Sequence, residues 1–168
     1  MTAPLILSLG FDPASFARLD GLRRAHFPAD RNLIPAHLTL FHALPGEARE
    51  EIEANLATAT AGTAPVALRM AGLRPLGRGV AIEVEAPALA ALRRLLAQHW
   101  AGWLTRQDAQ GWRPHVTIQN KVAPEAARSL LDELAQDFTP WEARGEALLL
   151  WHYRGGPWEE AAAFPFLG

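Results

Sequence analysis

The chain alternates between two apolar periods. Leu5 to Leu9 is a short continuous apolar run and predicts a strand. Phe16, Leu19, Leu22, His26 and Phe27 follow at helical spacing, behind an Asp12-Pro13 pair suited to an N-cap and a first helical position. Ala36 to Ala43 predicts a second strand. Gly46 opens a helix carrying Ala48, Ile52, Leu56 and Ala59 on one stripe. Val66 to Met70 reads as a strand. Gly72, Pro75, Gly77 and Gly79 then break the chain, and Val80 to Val84 reads as the next strand.

The order then repeats. Pro87 opens a helix with Leu89, Leu92, Leu96 and Trp103 inward. A loop with Gly111 and Pro114 leads to a strand from His115 to Gln119. Pro124 opens a helix with Ala127, Leu130, Leu131, Leu134 and Phe138 at helical spacing. Ala147 to Tyr153 is a strand, and Ala161 to Phe166 a candidate last one. The two halves agree in offset as well as order. His37 and His115 lie 78 positions apart, and Pro45 and Pro124 lie 79 apart. The expectation is an α+β chain of two similar lobes in one domain, 1–168, with repeat halves of about 1–78 and 79–168.

Composition adds little to this picture and excludes some classes. Apolar residues make up 49% and charged residues 20%, enough for a real core. The net charge is −2, so no overall basic surplus exists for gripping long nucleic acid, and an end or a small fragment is the expected nucleic-acid ligand. No apolar run is long enough for a membrane span, and Met1 to Gly10 lacks the basic region of a signal peptide. The chain has no cysteine, which rules out disulfide and thiolate chemistry and makes a cytoplasmic location the simplest expectation.

The candidate chemistry lies in a motif that recurs once per half: His37-Leu38-Thr39-Leu40 and His115-Val116-Thr117-Ile118. On a strand, alternate side chains share a face. His37, Thr39 and Phe41 then face one way, with Leu38 and Leu40 behind. His115, Thr117 and Gln119 do the same, with Val116 and Ile118 behind. If the lobes face each other, two imidazoles and two hydroxyls line one cleft. Imidazole takes or gives a proton near neutral pH, and opening a cyclic phosphate needs one base and one acid. Hydroxyls can donate to the non-bridging oxygens as charge builds there. The motif strands hold no carboxylate and no His-x-His spacing, so a metal hydrolase is disfavoured and no cofactor is expected. No Gly-rich phosphate loop of the P-loop type is present.

Two such motifs in equivalent settings resemble the 2H phosphoesterase superfamily. The stretches Pro35 to Phe41 and Trp112 to Ile118 are most similar to its bacterial 2′-5′ RNA ligase-like branch. The resemblance implies a bilobal fold with antiparallel-sheet lobes and outer helices around a central cleft. It implies hydrolysis without metal of 2′,3′-cyclic phosphates or 2′-5′ linkages, with reversible ligation in some members. It also implies His115 as the base for water and His37 as the acid for the leaving oxygen, with Thr39 and Thr117 on the phosphate. Many relatives carry an arginine soon after the second motif. Here Gln119-Asn120-Lys121 stands instead, and Lys121 offers a point charge without the guanidinium fork.

Other candidates are weighed on their own. Phe41 either stacks on a base or ends the strand in the core. Arg78, in the Gly77-Arg78-Gly79 turn, is a candidate phosphate contact or an ordinary turn arginine. His42 is placed on the back of its strand. Trp151 and Tyr153 are candidates for an aromatic wall. The competing class is a module that holds an RNA end or nucleotide in the same cleft without turnover. In either case the expected partner is a nucleotide or RNA end bound by a monomer, with no membrane and no metal.

Overall fold

The computed structural model describes residues 2–168. Seven strands and five α-helices follow in the order β1 (Leu5–Phe11), α1 (Pro13–His26), β2 (Thr39–Leu44), α2 (Arg49–Ala61), β3 (Val66–Pro75), β4 (Val80–Glu85), α3 (Pro87–His99), α4 (Arg106–Ala109), β5 (His115–Gln119), α5 (Pro124–Asp137), β6 (Trp141–His152) and β7 (Glu159–Pro165). Every strand pair is antiparallel, and the sheet path is β2-β1-β6-β3-β4-β5, with β7 added beside β6. Exchanging the halves, β1 for β4, β2 for β5 and β3 for β6, leaves this path unchanged. The third strand of each half thus pairs with the first strand of the other half.

The long strand β6 joins the two lobes. Its first part pairs with β3 and its later part with β7, while β1 lies along its other edge. The sequence suggests only Ala147 to Tyr153 for this element, whereas the strand starts at Trp141 and runs through Gly145. The structure needs glycine there: a β-carbon at 145 would stand 2.7 Å from both Leu9 and Val66 side chains. Similarly, β3 runs through Gly72 to Pro75 instead of ending at Met70. A register shift leaves Ala71 as the extra residue, and Gly72 pairs with Glu83.

The motif segments sit on β2 and β5, the two ends of the sheet path. The sheet curls until these ends approach, and α1 of the first half packs on β5 of the second. Buried arginines tie the lobes across this seam. Arg23 of α1 donates to the Thr117 carbonyl at 2.9 Å, and Arg93 of α3 donates to the Leu40 carbonyl at 3.0 Å. Each helix thus fixes the opposite lobe's motif strand, by charge-assisted bonds stronger than neutral ones. One continuous core runs under both motifs, including Leu38, Leu40, Val116 and Ile118, each 0% exposed. The helix starts follow their local signals: Asp12 accepts from the Ser15 amide at 3.1 Å, with Pro13 as the first helical residue. No helix among the described residues is long and apolar enough to cross a membrane.

Candidate active site

The motif strands carry matching irregularities. In β2 the register steps from Thr39 to Phe41 while β1 advances by one residue; in β5 it steps from Thr117 to Gln119 while β4 advances by one. These are β-bulges with Leu40 and Ile118 as the extra residues. Alternation holds through His-x-Thr and then breaks. The sequence expectation for Phe41 is corrected here. Phe41 is 0% exposed, lies edge-on to Trp100 at 5.2 Å and sits under the Arg93 guanidinium at 4.4 Å. It belongs to the core and offers no face to a ligand. Gln119 turns inward in the same way. The bulge also sends His42 to the front, where it lines the cleft rather than the back of the strand.

His37, Thr39, His115 and Thr117 line one cavity of about 410 Å³. The two histidines are held alike. His37 Nδ1 lies 2.9 Å from the Pro35 carbonyl and His115 Nδ1 lies 3.0 Å from the Arg113 carbonyl, in each case two residues back. An Nδ1–H donating to that carbonyl fixes the ring and leaves Nε2 as the basic nitrogen. Burial pushes His37 well down, to about 4, helped by the nearby charges of Arg23, His115 and His42 and opposed by the Pro35 bond. His115 is also lowered, by burial first and then by Arg74 and His42, against the Arg113 carbonyl and Glu83. Both shifts favour the neutral ring at neutral pH.

Arg74 is a residue that sequence reasoning missed. It comes from β3, and its Nη1 stands 3.0 Å from His115 Nδ1. Its Nη2 donates to Glu83 at 2.7 Å, and Glu83 also accepts from Arg113 at 3.2 Å. His115 Nδ1 can accept from Arg74 or donate to the Arg113 carbonyl, not both at once. A fixed cation at that distance opposes a second proton on the ring in either tautomer.

Asp108 is the second missed residue. Its carboxylate accepts from the His42 amide at 2.8 and 3.0 Å, from the Ala43 amide at 3.0 Å and from His42 Nδ1 at 3.1 Å. Burial alone would raise its pKa, but these bonds from His42 and Ala43 hold it below the ordinary carboxylate value. It closes the outer edge of β2 at the bulge and so clamps one lobe on the other. The sequence did carry a signal for it: Thr105 caps α4 and accepts from the Asp108 amide, a Thr-x-x-Asp start. Trp112 makes a third tie, donating from Nε1 to the Thr39 carbonyl at 3.0 Å.

Arg78 and Lys121 are not part of the cavity lining. Arg78 lies beyond the end of β5, where the Val122 amide donates to its carbonyl and its Nε donates to the Val122 carbonyl, each at 3.1 Å; Lys121 is the residue before Val122. The cations the cleft does hold are Arg74, Arg93 and Arg113. Trp158, from the loop before β7, stands 4.6 Å from the His37 ring and forms the other wall. Trp151 lies behind it at 6.1 Å, while Tyr153 is exposed elsewhere. Among the described residues no cluster of three His, Asp or Glu side chains could hold a metal.

The site is thus a cleft with two similarly held histidines, set in a curled antiparallel sheet with helices outside. Residues 11–157 match the family model described as the 2′-5′ RNA ligase superfamily, and the chain belongs to that family. Three solved structures show the same fold. TT0787 of Thermus thermophilus has a TM-score of 0.69 at 17% identity, with 98% of each chain covered. E. coli LigT complexed with 3′-AMP has 0.63 at 16%, and LigT complexed with NADP+ has 0.63 at 14%, each over 100% of both chains. No curated protein sequence matches the chain. The expected two-lobed antiparallel fold is thus borne out.

Proposed function

We propose that the protein is a metal-independent phosphoesterase that opens 2′,3′-cyclic phosphates or 2′-5′ phosphodiesters of nucleotides or RNA ends, by acid–base catalysis between His37 and His115. The observation that carries this reading is the equivalence of the two sites. Two imidazoles, each with Nδ1 within 3.0 Å of the carbonyl two residues back, share one cleft with two motif threonines. That LigT has been solved with 3′-AMP and with NADP+ supports a nucleotide in the equivalent cleft here. The same reading takes the chain as one two-lobed domain that arose by duplication of halves 1–78 and 79–168. The symmetric strand path and paired bulges support it.

In the proposed reaction His115 takes the proton from the attacking water and His37 gives one to the leaving ribose oxygen. Arg74 keeps His115 neutral and ready as the base. A bound phosphate anion stabilises the His37 imidazolium, so the ring takes up the proton that it then gives to the leaving oxygen. Thr39 and Thr117 donate to the non-bridging oxygens, and the guanidinium of Arg74 or Arg113 balances the charge that builds there.

The pH–rate profile tests the pairing. The active form of the free protein carries one proton on the pair, whichever ring holds it. Both histidines sit below 6.5, one at about 4, so log kcat/KM is expected to be bell-shaped with its maximum on the acid side of pH 6.5. The kcat profile shifts to higher pH, because the bound anion favours both imidazolium forms. Arg74→Ala removes a cation from His115, so the basic limb of kcat/KM moves up in pH. A profile rising or falling monotonically through both limbs contradicts the scheme.

A further inference from the structure

A second hollow of about 270 Å³ opens beside the cleft and shares His37 and Trp158 with it. Its walls are Phe11, Phe16, Leu33, Leu149 and Trp151. Two of these, Phe16 at 37% and Leu33 at 58% exposure, are large apolar side chains left at the surface at its rim. A concave apolar surface open to water is the usual form of a ligand site. Ser8 supplies the side-chain hydroxyl of the lining, but it is 2% exposed and already accepts from Trp151 Nε1 at 2.8 Å. The hollow therefore offers flat aromatic and aliphatic contact and almost nothing to read a hydrogen-bonding edge.

We infer that this hollow is a nucleobase subsite that holds the base by stacking and apolar contact without distinguishing one base from another. It rests on the phosphoesterase reading, since the phosphate must lie in the adjoining cleft. An aliphatic group would fill the same space, but the tilted pair of Trp151 and Trp158, which reaches His37, favours a ring. Stacking is tolerant of sequence because every base has a π-face. A substrate whose phosphate lies against His37 thus extends its base past Trp158 into the hollow.

The test compares the four 2′,3′-cyclic nucleotides with methyl riboside 2′,3′-cyclic phosphate, which has no base. The expected result is kcat/KM within about 5-fold among the four bases, and roughly 10- to 100-fold above the abasic probe. Two variants lie outside the catalytic cleft. Leu33→Ser removes an exposed wall. Gly10→Leu fills the hollow from its floor, where an added β-carbon meets Ala147 and Leu149 at an ordinary 3.4–3.5 Å. Both are expected to raise KM for the nucleotides and leave the abasic probe unchanged. Equal rates for abasic and base-bearing probes, or a preference above about 100-fold for one base, overturns the inference. If no probe turns over, quenching of tryptophan fluorescence by adenosine separates the cases. Quenching abolished in Gly10→Leu keeps the subsite while the phosphoesterase reading falls; no quenching in the unmodified protein overturns the subsite itself.

Discussion

His37→Ala and His115→Ala are each expected to lower kcat/KM on a 2′,3′-cyclic nucleotide by about 10²- to 10⁴-fold, the usual contribution of one positioned acid or base. The double variant is expected to lose little more than the worse single one, because the two act as a unit on one proton-transfer cycle. Neither ring belongs to the fully buried core, so thermal unfolding should be nearly unchanged. That separates lost chemistry from lost folding. Thr39→Val and Thr117→Val, which keep shape and remove a donor, are expected to cost about 10²-fold in kcat. Wild-type kcat/KM in either histidine variant would remove that ring from the mechanism.

Asp108→Ala is expected to give the largest stability change of a single polar substitution near the cleft. The carboxylate satisfies two backbone amides of β2 and the His42 ring, and its side chain is fully buried. Its loss leaves those donors without a partner and should cost about 2–4 kcal/mol. For a chain of this size that lowers Tm by roughly 5–15 °C, measured by circular dichroism. Asp108→Asn, which keeps one acceptor oxygen, should fall between. The pH dependence has a definite sign. Asp108 has a folded-state pKa below its unfolded one, so its stabilisation is present above about pH 4 and is lost as pH falls further. A Tm for Asp108→Ala equal to the parent value would show that the lobes do not depend on this clamp.

The two motifs were legible because they are local: a histidine and a threonine two apart on a strand, repeated 78 positions on. The apolar residues between them, Leu38 and Val116, point to the core as alternation requires. Alternation failed two residues past each threonine. A bulge inserts an unpaired residue that no apolar pattern announces, so Phe41 went inward and His42 outward. The cations were misjudged for a related reason. Lys121 lies just past the second motif and Arg78 in the turn between β3 and β4, and neither lines the cleft. Arg74 enters from β3, which lies beside β4 in the sheet and far from both motifs in the chain. Asp108 and Trp158 likewise reach the cleft from segments that read as loops. Their positions depend on how the sheet curls, and that is set by long-range pairing of β6 with both lobes.

Looking for a cation just after the second motif also shows what motif reasoning leaves out. The cleft gathers Arg74, Arg93 and Arg113 although the chain as a whole is slightly acidic. Each has a specific partner: Arg93 holds the Leu40 carbonyl, and Arg74 and Arg113 share Glu83. Their positive charge is thus positioned before any substrate arrives, which suits an anionic phosphodiester.

The most direct test of the central claim is turnover of 2′,3′-cyclic AMP by the unmodified protein in excess EDTA, with the product isomer identified. The two-histidine account predicts hydrolysis unaffected by the chelator, to the 2′-phosphate, with the 3′-oxygen as the leaving group protonated by His37. Hydrolysis abolished by EDTA and restored by a divalent cation would contradict it.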